Sequence, residues 1–204
     1  SFAAPAVAGC AALLQSVSGT LKSWPEGCRA ILLAGANRNV SDSTWWNDVA
    51  SGTEAHDGSG AVDAQESMAI AKVRKARNNT ASRRGWDVGT LRSADFGGDG
   101  RSTFSYKVTV PASGATHVKV ALAWNSKVTE FSVLWFKFYL SFLTLDMDLM
   151  VYDAAGTRVA YSGSWDNSYE IAEFTGKPGE TYTIRIRRWS GTDDTWYGLA
   201  WTVV

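Results

Sequence analysis

The 204-residue sequence is short of several things, and each shortage narrows what the chain can be. It has no surplus of charge. Its 20 basic and 20 acidic residues cancel, and no block of like charge occurs, so nothing draws it to nucleic acid or to an anionic membrane surface. It has no long hydrophobic run: the longest, Phe131 to Leu143, is interrupted by Lys137. That is shorter than the ~20 residues a helix needs to cross a bilayer, so no membrane span is expected. It has two cysteines, Cys10 and Cys28. If residues 24–36 fold back as a helix on the first segment, the pair can meet as a disulfide or stay as two buried thiols, and the sequence leaves both open. It does not begin with Met, so residue 1 is expected to be a cut end. Val7-Ala8-Gly9-Cys10 matches the small-residue pattern before a lipid-modified cysteine, but no basic region and no full apolar core precede it, which argues against a signal segment.

What is present is a hydrophobic content of 45% and ten Trp. This is enough for a packed core in one large domain or two small ones, and the Trp favour an aromatic-rich β structure or a binding face. The sequons Asn39-Val40-Ser41 and Asn78-Asn79-Thr80 lie in polar stretches and matter only for a eukaryotic secreted chain.

The first region reads helical. Ser1-Phe2-Ala3-Ala4-Pro5 opens a run of very small apolar residues, with a Pro where the helix N–H groups lack partners in any case. A serine there either caps the helix or stands at its positive end. Smallness on every face (Ala3, Ala4, Ala6, Ala8, Gly9, Ala11, Ala12) predicts a central, buried helix. Ser23-Trp24-Pro25-Glu26 reads as a second helix start with Ser as cap. Gly58-Ser59-Gly60-Ala61-Val62-Asp63-Ala64 leads into a third helix, Gln65 to Ala76, and residues 77–85 have linker composition.

Beyond the linker the period becomes two. Phe104, Tyr106, Val108 and Val110 alternate with polar residues, as do Val118 to Trp124, Tyr182 to Ile186 and Leu199 to Val203. Shorter candidates are Leu149 to Tyr152, Arg158 to Ser162 and Glu170 to Phe174. Some seven short strands separated by Gly, Asn and Pro turns predict an antiparallel β-sandwich. The insertion Glu130 to Leu143, dense in Phe, Trp, Tyr and Leu, fits a paired hairpin, a surface docked on the first domain, or sequence foreign to the mature protein.

Ser1-Phe2-Ala3-Ala4-Pro5 with Val7-Ala8-Gly9 resembles the second half of the nucleophile motif of subtilisin-like serine peptidases (G-T-S-x-A-x-P, then V-A-G). Gly58 to Ala64 resembles the closing segment of that family's catalytic domain, in the right order. The stretches Asp146 to Asp153, Asp166 to Glu170 and Gly179 to Ile186 resemble the jelly-roll-like accessory domains of secreted peptidases. The resemblance implies an α/β fragment, the last helices of a subtilisin-like catalytic domain, over residues 1–80, and an all-β antiparallel jelly-roll-like sandwich over residues 85–204. It implies a secreted serine endopeptidase with Ser1 as nucleophile, a protein or peptide substrate, and a partner in the missing N-terminal part of the catalytic domain.

A serine nucleophile needs a base, a carboxylate to orient that base, and oxyanion donors. In the family the Asp and His precede the Ser, so this chain alone is expected to be inactive. His56 beside Asp57 makes no base–orienter pair, since adjacent residues point apart, and His117 is expected on a solvated strand face with Lys119. An N-terminal nucleophile using its own amine is a minor alternative. No cofactor is expected. Asp146 and Asp148 on one strand face, with Asp95, Asp99 and Asp166 in turns, are the residue types that hold calcium, but they form no complete loop. The alternative to the peptidase reading is a non-catalytic Trp-rich binding module for carbohydrate or protein, with Trp124, Trp165, Trp189, Trp196 and Trp201 as platforms.

Overall fold

A computed structural model describes residues 1–37, 58–125, 127–133, 135–143, 145–165 and 167–204. Trp45, Trp46, His56, Asp57 and Asp166, all singled out above, lie outside the described residues.

Eight strands form an antiparallel β-sandwich. They are β1 (Gly85–Leu91), β2 (Tyr106–Thr109), β3 (His117–Trp124), β6 (Asp146–Tyr152), β7 (Arg158–Ser162), β8 (Tyr169–Thr175), β9 (Thr181–Ser190) and β10 (Thr195–Val203). β4 (Lys127–Val133) and β5 (Phe136–Phe142) form a separate two-stranded hairpin. The first sheet has the order β1-β10-β3-β8 and the second β2-β9-β6-β7. Alternation explains the interior: Val118, Val120, Leu122 and Trp124 of the first sheet meet Leu149, Val151, Ile184 and Ile186 of the second in one buried cluster.

A third layer covers the first sheet. Helices α1 (Ala3–Val17), α2 (Pro25–Gly35) and α3 (Ala64–Ala71) pack Leu14, Ala30, Ile31, Ala34 and Ile70 against Trp86, Val88, Ala121, Ala123, Ile171 and Ala200. Three of these sheet residues are alanines, and α2 lies close. A Cβ on Gly198 of β10 would collide with the backbone carbonyl of Glu26. β3 is therefore buried on both faces, the mark of a central strand between two cores.

Several local expectations are corrected. α2 begins one residue later than the Ser23 cap implies: Trp24 occupies the cap position without a side-chain hydrogen bond, and Pro25 starts the helix. α3 is capped by Asp63, which accepts from the Glu66 N–H at 2.8 Å, and it ends at Ala71 rather than Ala76. Past Ala71 the chain leaves the helix and runs beside β1, with Trp86 N–H donating to the Val73 carbonyl and Lys75 N–H to the Trp86 carbonyl.

Residues 77–85 are fastened down. Arg77 donates to the Tyr197 hydroxyl (2.9 Å), to Asp95 (2.8 Å) and to the Thr90 carbonyl (2.7 Å). Ser82 bridges Val108. The helix opened by Ser1 is not enclosed among the described residues: residues 1–9 are exposed and Leu14 is the one buried residue of α1. It lies on the outside of the helical layer rather than at a centre.

Candidate functional site

Ser1 precedes the helix rather than capping it. Phe2 is the cap residue, no side chain caps the N-terminus, and Ser1 is exposed with no hydrogen-bond partner among the described residues. Among the described residues no base lies against its hydroxyl. His117, at the start of β3, directs Nε2 to Glu173 Oε2 at 3.0 Å.

Lys119 is not solvated. It is 2% exposed and donates to the carbonyls of Ser59 (2.6 Å) and Ala36 (3.0 Å), with Glu173 Oε1 at 3.4 Å. The face of β3 read as outward is the one beneath the helical layer. Lys119 tolerates burial there because two carbonyls and a carboxylate replace its water. The polar cluster of His117, Glu173 and Lys119 is thus a tie between helices and sheet.

Cys10 and Cys28 are free thiols. Burial raises the Cys28 pKa, and its Sγ lies 3.5 Å from the Leu21 carbonyl. Beside it, an apolar groove of about 750 Å³ runs between α1 and α2, lined by Ala3, Ala6, Val7, Cys28, Leu32 and Val62.

Among the described residues, no group of three or more His, Cys, Asp or Glu is placed to hold a metal ion. Asp95 faces Arg77, and Asp99 turns back on Arg101 at 3.6 Å. Asp146 and Asp148 do neighbour each other. Burial and then the Asp148 charge raise the Asp146 pKa, while Asp148 is raised by burial and partly relieved by Arg187 at 3.4 Å. The more extreme carboxyl is Glu170, fully buried between the sheets, with its pKa pushed up to about 9 by desolvation. It accepts from the Ser162 hydroxyl and from the Ser164 N–H at 2.8 Å.

The tryptophans divide into two sets. Trp124 and Trp201 are core residues whose indole N–H groups donate to the carbonyls of Leu145 (3.0 Å) and Ser82 (3.1 Å). Trp165, Trp189 and Trp196 are 69%, 60% and 54% exposed. Trp196 stands on the helical side, its ring 5.8 Å from that of Trp24.

Trp189 stands on the other side of the sandwich. Tyr182, Ile184 and Ile186 of β9 point into the core, so Thr183, Arg185 and Arg187 point away from it, and Trp189, at the register shift that skips it in the pairing with β6, lies under the Arg187 guanidinium. Leu149 and Val151 of β6 likewise leave Met150 and Tyr152 on that outer face, where Met150 is itself buried and Tyr152 half-buried, its hydroxyl donating to the Met150 sulfur at 3.0 Å. Among the described residues, all substantial helix–strand packing is with the first sheet, and no helix packs on this face of the second.

Three aromatic rings of the second sheet have a guanidinium over them: Arg187 over Trp189 (4.3 Å), Arg158 over Tyr161 (4.7 Å) and Arg101 over Tyr152 (5.6 Å). At the Tyr152 end lies a polar cleft of about 610 Å³, with Asp99, Arg101, Asp153, Thr183 and Arg185 in its walls. Sequence reasoning named Trp189 but not Tyr152 or Arg185. The signal for them was the strict alternation of Thr183-Ile184-Arg185-Ile186-Arg187, which assigns the charged set to one face.

No protein-family model and no curated protein matches the sequence. Among solved structures, the pre-peptidase C-terminal domain of a collagenase from Bacillus anthracis is similar over 63% of this chain and 100% of its own, with 17% identity and a TM-score of 0.39. PliG, a periplasmic inhibitor of g-type lysozyme from Aeromonas hydrophila, is similar over 60% of this chain and 87% of its own, with 9% identity and a TM-score of 0.32. The Yersinia pseudotuberculosis-derived mitogen is similar over 59% of this chain and 86% of its own, with 12% identity and a TM-score of 0.33.

Proposed function

We propose that this chain is a non-catalytic β-sandwich binding module whose ligand, carbohydrate or protein, lies on the outer face of the second sheet. The observation that carries this reading is the asymmetry of the sandwich. One sheet is covered by α1, α2 and α3, whereas among the described residues no helix packs on the other, which exposes Trp189 and Tyr161 beside a half-buried Tyr152. Exposed aromatic rings on a rigid sheet bury large area on binding at small cost in conformational entropy. Titrating intrinsic tryptophan fluorescence with polysaccharides and with unfolded protein tests it. Saturable change with one of these classes supports the module, and no response to either refutes it.

A second reading is favoured by a separate observation, the exposed apolar surface of α1 and its groove with α2. In it the chain is the C-terminal portion of a secreted subtilisin-like serine endopeptidase, and the missing part of a catalytic domain, bearing the Asp and His, covers α1. Ser1 would there attack the scissile carbonyl to give an acyl-enzyme. Both readings expect the isolated chain to be inactive: the first has no catalytic site, and the second places the Asp and His outside the chain. Casein hydrolysis that is lost on Ser1→Ala in the 204-residue chain alone would overturn that shared expectation.

A further inference from the structure

We infer that the cleft at the Tyr152 end of the outer face is a subsite for an uncharged polysaccharide. This rests on the binding-module reading and narrows it to one ligand class.

The walls of the cleft are polar and balanced. Arg101 and Arg185 supply donors, and Asp99 and Asp153 supply acceptors, around the Tyr152 ring. Two guanidiniums and two carboxylates set up no net field that would select a charged ligand, so the cleft discriminates by hydrogen bonding. Neighbouring ring hydroxyls of a sugar both donate and accept, which matches alternating Arg and Asp, while the apolar face of the ring matches an aromatic side chain. For a nucleic acid or acidic glycan, repulsion from Asp99 and Asp153 offsets attraction to Arg101 and Arg185.

The groups are held in place rather than floppy. Arg185 donates one N–H to the Ser102 carbonyl at 2.5 Å and has no carboxylate partner among the described residues, leaving further donors for a ligand. Asp153 Oδ1 accepts from the N–H groups of Ala155 (3.0 Å) and Thr157 (2.8 Å), and Asp99 Oδ1 from Arg101 N–H (3.0 Å). Asp153 keeps its other oxygen without a hydrogen bond among the described residues, while the other oxygen of Asp99 faces the Arg101 guanidinium at 3.6 Å. Preorganised polar groups of this kind bind with little further ordering.

The ligand is a polymer rather than a monosaccharide. From Thr183, in the cleft, β9 runs six residues to Trp189, roughly 20 Å at ~3.3 Å per residue. Both ends of that line carry an aromatic ring, Tyr152 beside Thr183 in the pairing of β6 with β9 and Trp189 at the far end.

The test is isothermal titration of the full chain with neutral β-glucan, xylan and chitin oligomers. Polygalacturonate, single-stranded DNA and reduced, unfolded casein are titrated in parallel. The expected result is saturable binding to at least one neutral glycan. Its affinity changes less than twofold between low and high salt, and falls at least tenfold in Tyr152→Ala and in Arg185→Gln. Circular dichroism of each variant establishes that it is folded. Binding to casein but to no neutral glycan overturns this inference and leaves the module reading standing. Preferred, salt-sensitive binding to polygalacturonate or DNA overturns it in favour of a polyanion. No binding to any of the six overturns both.

Discussion

The hydroxyls of Tyr106 and Tyr197 lie 2.5 Å apart, although the two residues belong to different sheets of the sandwich. Tyr106 also reaches Asp87 Oδ2 at 2.9 Å, and Tyr197 accepts from Arg77 Nε at 2.9 Å, so a buried chain of polar groups joins the linker, β1 and both sheets. Desolvation raises both phenol pKa values, that of Tyr106 furthest. Tyr197→Phe leaves Arg77 Nε without its acceptor and Tyr106 with Asp87 alone. The expected loss is about 1–3 kcal/mol in a denaturant melt. In the wild type, ultraviolet titration is expected to show Tyr106 and Tyr197 ionising above the ordinary tyrosine range.

Glu170 makes stability depend on pH. Its carboxyl keeps its proton in the native state up to about 9, against an ordinary value of 4.5. Between those values the unfolded chain releases a proton that the native chain holds. The group's contribution is therefore full below pH 4.5 and is lost as pH rises through 9, at up to about 1.4 kcal/mol per pH unit. Glu170→Gln keeps an acceptor for Ser162 and Ser164 and removes the titration. The melting temperature of the variant is expected to fall less from pH 5 to pH 9 than that of the wild type, and equal slopes would contradict the assignment.

The hairpin β4–β5 is an excursion whose stems touch, since Trp124 Nε1 donates to the Leu145 carbonyl at 3.0 Å and neither strand joins a four-stranded sheet. Replacing residues 126–144 by a short Gly–Asn turn is expected to leave a cooperative melt within a few degrees of the parent. A lost or broadened transition would mean that the hairpin is part of the core.

Gly198 marks where α2 touches β10 backbone to backbone. Gly198→Val forces the helix off the sheet, with an expected loss of more than about 2 kcal/mol by chemical denaturation. Retention of full stability would mean that the helical layer is not seated as described.

The sandwich was largely legible because alternation is a local signal. β7 has the bounds expected from sequence, and β3, β6, β8, β9 and β10 fall where alternation put them. β1 escapes the pattern because Gly85, Asp87 and Gly89 interrupt it, and the burial of Asp87 rests on Arg74 and on Tyr106, both brought to it by the fold. Lys119 reads as solvated from sequence because a lysine on an alternating strand usually is. Its burial depends on carbonyls brought over by the helical layer, which no local pattern reveals. For the site, ten Trp announced aromatic chemistry, but only the fold separates Trp124 and Trp201 in the core from Trp189 outside it.

The most direct measurement compares two exposed tryptophans on opposite sides of the sandwich. Trp189 lies on the outer face of the second sheet and Trp196 beside Trp24 on the helical side. With whichever polysaccharide or protein binds the wild type, Trp189→Ala is expected to weaken the dissociation constant at least tenfold and Trp196→Ala less than twofold. Loss of binding in Trp196→Ala with Trp189→Ala unaffected would place the ligand on the other side and contradict the proposed face.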